Sequence, residues 1–380
     1  MDRPRLVTAP FVLVTLATFA YFMAIGALLP TLPRYVEDAL GGGSVAVGVV
    51  VGSFAVSAAV LRPFAGRTGD LRGRRILVVG GSLLVAASVA GYAVADSLAV
   101  LVALRLVTGL GEAAVWVGAA TAIQDLAPPD RRGEAASYFS VALYGGLAFG
   151  PLGGELLLRR TGFDTVFLVA AASAAIAAVL GLWTPARANG QPQPFRWLHP
   201  AALGPGLVLF LGLVPFVGFA AFVPLYGPTV SIEDVAPLFL LYGCLILVIR
   251  VAGARLPDQL GWRRASSYAL AVLGGAGLLL GAWGSAVGVW VSTVALALGM
   301  ALLFPALFSA AVSAAPEEER SQAVGTFSLF FDAASGVVPP LLGVLVALSS
   351  YRAAFAVSGA VALAGLVAAS RLRIGAQHVH

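Results

Sequence analysis

The 380-residue sequence contains no lysine, a single cysteine and three histidines. One thiol, Cys244, cannot form an internal disulfide. Without lysine there is no phosphate-cradling loop of the Gly-Lys-Ser/Thr type, so drive by ATP has no support. His199, His378 and His380 all fall outside the long apolar runs. No His or Cys cluster has metal-site spacing, so neither a metal nor another cofactor is expected. The same shortage leaves no convergent nucleophile–base set, and an enzyme is not expected. An aspartyl-type chemistry at Glu112 and Asp332 is the one enzymatic alternative. Charge is scarce as well: 11% of residues are charged, against about 25% in soluble domains. With 59% hydrophobic residues, this excludes an ordinary soluble domain.

What is present is a series of apolar runs, each long enough to cross a hydrocarbon core of about 30 Å. Twelve spans are expected, near residues 7–30, 46–65, 76–95, 98–124, 136–158, 164–184, 203–226, 235–254, 266–286, 288–313, 323–347 and 353–370. The N-terminal "MDRPR" with its apolar run resembles a signal peptide. It lacks a convincing cleavage site and eleven spans follow, so it is read as a retained first helix. All 23 basic residues are arginine, and eighteen fall at or beside one set of loops and the two termini. The positive-inside rule then places both termini in the cytoplasm of a multi-pass plasma (inner) membrane protein. The net charge of +5 is thereby a matter of topology, and no nucleic-acid partner is expected.

The sequence also repeats itself. At an offset of 188 residues, Arg62 meets Arg250, Asp70 meets Asp258, Gly73 meets Gly261, Arg75 meets Arg263 and Pro151 meets Pro339. Charged residues and prolines matching at one fixed offset indicate duplication rather than chance. The organisation is a six-span half at 1–185, a polar, Pro-rich cytoplasmic linker at 186–200, and a second six-span half at 201–380.

The stretch "GRTGDLRGRR" at 66–75 resembles the major facilitator signature between spans two and three. Gly66, Asp70, Gly73, Arg74 and Arg75 match it, with a second copy around Asp258, Gly261 and Arg263; Thr68 and Leu71 depart from it. The resemblance covers the whole chain. It implies an all-α membrane fold of two parallel six-helix halves, with the substrate site between them near the midplane. It also implies that this loop gates the state closed towards the cytoplasm. A tight turn there needs glycine, and the arginines can bond carboxylates or helix C-terminal carbonyls.

A charge inside a span costs about 2.5–3.5 kcal/mol on insertion scales, so the exceptions are the functional candidates. The fourth span holds Arg105 and Glu112, seven residues apart on one helix face and about 10 Å apart along the axis. A direct pair is a stretch, and a water or ligand between them fits better. A structural pair is the other reading. "RLVTGLG" at 105–111 resembles the family's fourth-span motif, whose arginine is associated with proton coupling. In the fifth span, "GLAFGPLGGE" resembles an antiporter-associated motif through Gly146, Gly150, Pro151 and Gly154, with Glu155 replacing its last glycine. In the family that motif marks exporters, and its glycines suit close helix packing. Asp332 lies near the centre of the eleventh span and is a second proton or cation candidate. Tyr21, Trp116, Tyr144, Phe219, Phe304 and Phe331 are candidates to line an apolar cavity.

The expected function is secondary transport by alternating access, with efflux of a small lipophilic or amphipathic compound by proton antiport. Glu112 and Asp332 would carry protons, and Arg105 would modulate them. The expected partners are the small-molecule substrate, protons and membrane lipid, and a monomer is expected. Proton-coupled uptake of a metabolite is the first alternative. A non-transport membrane sensor or a lipid-moving protein on the same fold is the second.

Overall fold

The computed structural model describes residues 6–128, 131–186, 198–252, 256–316 and 319–371. Within them the chain forms twelve α-helices and no strand. In order these are α1 (Ala9–Arg34), α2 (Ser44–Arg72), α3 (Arg74–Tyr92), α4 (Leu98–Leu126), α5 (Arg132–Thr161) and α6 (Phe163–Gly181). Then follow α7 (Pro200–Tyr226), α8 (Ala236–Ala252), α9 (Leu256–Ala282), α10 (Ala286–Ser313), α11 (Arg320–Leu348) and α12 (Tyr351–Arg371). Eleven are long and apolar enough to cross a bilayer, and α8 is a shorter apolar helix. In hydrocarbon every backbone polar group must be satisfied within the segment, which makes helices the solution for such runs. The protein is a multi-pass membrane protein.

Local chemistry sets the helix ends, and it repeats. Ser97 caps α4 by accepting from Val100 N at 3.4 Å, and Ser285, 188 residues on, caps α10 by accepting from Gly288 N at 3.2 Å. A serine oxygen there satisfies one of the orphan N–H groups of the first turn. Gly73 separates α2 from α3 with φ 87°, and Gly261 kinks the chain at the equivalent place with φ 72°. Only glycine adopts that conformation without strain. The signature at 66–75 is therefore no extended loop. It is the last two turns of α2, a single glycine and the first residues of α3. The α2 helix outruns the apolar stretch because its final charged turns continue the backbone ladder beyond the hydrocarbon core.

The chain divides into two compact units, residues 1–41 with 53–194, and residues 42–52 with 195–380. In the first, α1 packs on α5 and α6, and α3 packs on α4 and α6. In the second, α7 packs on α11 and α12, and α9 packs on α10 and α12. These are the same four pairings one repeat apart. Most of the linker, residues 187–197, lies outside the described residues.

Candidate functional site

In the first unit the site is built on α2 and α4. Gly109 and Gly111 of the fourth-span motif serve two different contacts. A Cβ on Gly109 would stand 1.8 Å from Phe54 O, so its absence lets α4 touch α2. A Cβ on Gly111 would stand 2.7 Å from Gly81 O, so α3 closes on the other side. Small residues permit such close backbone approach in membranes. Ser57 Oγ adds a hydrogen bond to Leu106 O at 2.7 Å.

Glu112 lies fourteen residues from each end of α4 (112 − 98 and 126 − 112), which is about 21 Å by helical rise. It is 7% exposed. Its partner is Arg62 of α2, whose Nη2 is 3.4 Å from both Oε1 and Oε2. The Arg62 guanidinium also lies over the Trp116 ring, 5.3 Å from its centroid. Trp116 is four residues beyond Glu112, and residues four apart share a helix face. The acid and the aromatic platform thus meet one arginine together. Phe22 and Phe139 hold the Trp116 ring edge-on, with centroids at 6.0 and 5.8 Å.

Arg105, the expected modulator of Glu112, stands two turns before it on α4. Arg105 is buried with its guanidinium 4.4 Å from the Phe54 ring centroid. The Gly109 contact brings Arg62 in from the neighbouring helix. The signal that could have found Arg62 was its exact counterpart Arg250 in the repeat. Tyr21 is fully buried and meets Phe22 edge-on, with ring centroids 5.2 Å apart. Its Oη has no hydrogen-bond partner among the described residues. Tyr92 Oη bonds Thr108 Oγ1, which also lies 3.0 Å from Ser88 Oγ.

The second unit repeats the platform and moves the acid. Arg250 lies over Phe304, 5.8 Å from its centroid, and these residues are the counterparts of Arg62 and Trp116. At the counterpart of Glu112 stands Met300, which is buried. Among the described residues the buried acid of this unit is Asp332 on α11. It follows Phe331, whose ring centroid is 6.5 Å from that of Phe304. Tyr144 is half-buried at the matching position on α5. Phe219 is fully buried and packs on Phe239 at 5.8 Å, where it joins α7 to α8.

The Major Facilitator Superfamily model matches residues 14–337, and again 268–378. The chain belongs to this superfamily. An uncharacterized MFS-type transporter of Salmonella typhimurium is 29% identical over 367 residues, covering 93% of each chain. One of Burkholderia mallei is 30% identical over 372 residues, covering 94% of this chain and 91% of the relative. Among solved structures, the human organic anion transporter MFSD10 has a TM-score of 0.74 at 22% identity, covering 97% of this chain and all of that one. A POT family transporter has a TM-score of 0.80 at 14% identity, covering 94% of both. At these identities the structural likenesses speak to fold alone.

Two further clusters lie on the stretches that resemble superfamily motifs. Arg74 Nε contacts Asp125 Oδ2 at 3.3 Å, joining the start of α3 to the end of α4. Arg75 Nε donates to Thr184 O at 2.8 Å, just beyond α6. Gly66 is open, since a Cβ there would meet nothing within 4 Å. Arg263 stacks on its neighbour Trp262, 5.3 Å from the ring centroid. The side chains of Asp70 and Asp258 lie outside the described residues. On α5, Gly146, Gly150 and Gly154 all face α1: a Cβ on each would come 2.6 Å from Phe22, Met23 and Ala27 respectively. Pro151 Cδ would be 3.1 Å from a Cβ on Gly26. Glu155, where the motif has its last glycine, is buried between Arg34 Nη1, at 2.8 Å from Oε2, and Arg159 Nε, at 2.9 Å from Oε1. The Arg34 contact was invisible in sequence, being 121 residues away.

Proposed function

We propose that this MFS-type transporter couples the movement of a small organic solute to protons through Glu112. The observation that carries the proposal is a buried carboxylate at the middle of α4, facing Arg62 of α2 at 3.4 Å. A charged group in that position is costly unless paired. Glu112 can exist in two protonation states, and Arg62 offers it a partner in only one of them. A solute that alters the pair therefore alters proton binding, and the linkage is reciprocal. Asp332 is the second proton site in this scheme. We place the protein in the plasma (inner) membrane as a monomer, with both termini in the cytoplasm.

The sign of the coupling follows from the solute's charge. A cation competes with the proton for Glu112, which gives exchange and, under an inward proton gradient, export. The antiporter-like glycine face of α5 supports that direction. An anion competes with Glu112 for Arg62, which gives cotransport and uptake. The specific observation favouring this second reading is the long Arg62–Glu112 contact. Proton flux in proteoliposomes across a panel of cationic, neutral and anionic compounds tests both. Solute-evoked proton movement that disappears in Glu112→Gln supports the coupling, and undiminished movement in that variant removes it.

A further inference from the structure

We infer that the hydroxyls of Ser88, Tyr92 and Thr108 form the path by which protons pass between Glu112 and the outer end of the first unit. The inference deepens the coupling reading and rests on it for the role of Glu112. Thr108 stands one turn before Glu112 on α4, so the two side chains share a helix face about 6 Å apart along the axis. Tyr92 Oη bonds Thr108 Oγ1, which lies 3.0 Å from Ser88 Oγ. Ser88 and Tyr92 are one turn apart on α3, and the three hydroxyls line the seam between α3 and α4. All three residues are buried. With both termini in the cytoplasm, as proposed, α3 ends outside at Tyr92 and α4 begins outside at Leu98. The chain then lies on the outward side of Glu112.

The repeat separates this chain from the needs of the fold. At the counterparts, 188 residues on, stand Ala276, Leu280 and Leu296, and all three are buried. The second unit packs α9 on α10 in the same pairing with apolar side chains alone at these positions. A buried hydroxyl is costly unless it is bonded, so the apolar version is the simpler way to join the two helices. The counterpart of Glu112 is apolar as well, Met300. The acid and the hydroxyl chain occur together in one copy and are absent together from the other.

The chain is also reversible. A hydroxyl has one proton to give and two lone pairs to receive. Thr108 can aim its proton at Leu104 O, 2.9 Å away in its own helix, or at a neighbouring hydroxyl. Ser88 has the same choice between Val85 O at 3.1 Å and Thr108. A proton arriving at one end is taken up by the first oxygen while the last oxygen releases its own, and the hydroxyls then turn back. Each oxygen keeps one proton, and no charge stays on the chain. Its outer end is closed: Tyr92 is fully buried, and the Phe167 ring meets it edge-on with centroids 5.6 Å apart. A coupled carrier needs this closure, because a path open to the outside at all times would leak protons. The chain passes protons when that end opens.

A path sets the rate of protonation and leaves its equilibrium alone, and the test uses the proton itself as the probe. Membrane vesicles carrying the full chain, right-side-out or inside-out, receive an acid jump from an impermeant caged proton released outside them. Protonation of Glu112 is read by time-resolved infrared as the carboxyl signal that is missing in Glu112→Gln. In right-side-out vesicles, Thr108→Val and Tyr92→Phe should each slow that signal at least tenfold, with its final amplitude unchanged. Thr108→Ser, which keeps the hydroxyl, should stay within about threefold of wild type and guards against a misfolded Val variant. In inside-out vesicles, where protons come from the cytoplasmic face, none of these variants should alter the rate. Wild-type rates in both Thr108→Val and Tyr92→Phe overturn the inference and leave Glu112 as the coupled acid. Equal slowing from both faces, or a changed amplitude, makes the hydroxyls helix-packing groups and likewise overturns it. An acid response that is the same in Glu112→Gln as in the wild type removes Glu112 as a proton site, and the coupling reading falls first.

Discussion

The two units share their scaffold and differ in their chemistry. Both have the same four helix pairings, a serine cap at 97 and 285, a positive-φ glycine at 73 and 261, and an arginine over a ring at 62 and 250. The acid does not follow. The first unit carries Glu112 on α4 where the second has Met300, and the second carries Asp332 on α11 where the first has Tyr144. Caps, turns and stacked arginines stabilise any copy of the fold. A buried carboxylate costs stability wherever it stands, and the two copies bear that cost at different places.

The comparison breaks most severely at the α2–α4 contact. The counterpart of Gly109 is Ala297, fully buried in the second unit. Gly109→Ala should lower the melting temperature sharply, because its Cβ would overlap Phe54 O at 1.8 Å and overpacking typically costs about 1–3 kcal/mol or more. Ala297→Gly should cost about 1 kcal/mol or less. Equal melting temperatures for the two variants would mean that α2 and α4 are not in contact.

The next largest effect is at the arginines. Arg62→Gln leaves Glu112 without its guanidinium, and removing one member of a buried pair costs about 3–5 kcal/mol at the upper end. The loss should be recovered in Arg62→Gln/Glu112→Gln. Arg250→Gln should show no such rescue by Glu112→Gln. A double-mutant cycle by thermal unfolding measures the coupling, and strict additivity at 62 and 112 would contradict the contact.

Smaller effects are expected at the signature. Arg75→Gln removes a hydrogen bond to Thr184 O and should slow transport several-fold with about 1 kcal/mol of lost stability. Arg263→Gln, at the exposed counterpart on Trp262, should change either quantity little. Transport rates at matched protein amounts decide this, and equal losses would make the two copies functionally equivalent. Asp70→Asn is likewise expected to slow turnover more than it weakens binding, and more than Asp258→Asn does.

Most of the fold was legible in the sequence because each apolar run ends in proline, glycine or charge. The twelve expected spans coincide with twelve helices, and even the ninth and tenth, separated by only residues 283–285, stand apart. The chief shift is α2, which continues to Arg72 where the apolar run ends near residue 65. Charge marks the edge of hydrocarbon, not the end of a helix. At the candidate site Glu112 and Asp332 could be singled out because a carboxylate in an apolar run is conspicuous. The partner of Glu112 could not be read along α4, since it comes from another helix. Arg62 lies fifty residues away, and only its duplication at Arg250 and the small Gly109 hinted at that meeting. The ion pair of Glu155 with Arg34 was hidden by the same non-locality.

The central claim is that Glu112 binds and releases the coupled proton. Its most direct test is the Glu112→Gln variant in proteoliposomes, with solute exchange and gradient-driven transport measured on the same preparation. Glutamine stands for the protonated acid, so exchange down a solute gradient should persist near the wild-type rate. Transport driven by a pH gradient, and the accompanying proton flux, should be lost. Gradient-driven transport at the wild-type rate in Glu112→Gln would contradict the account and move the coupled proton elsewhere, with Asp332 the next residue to test.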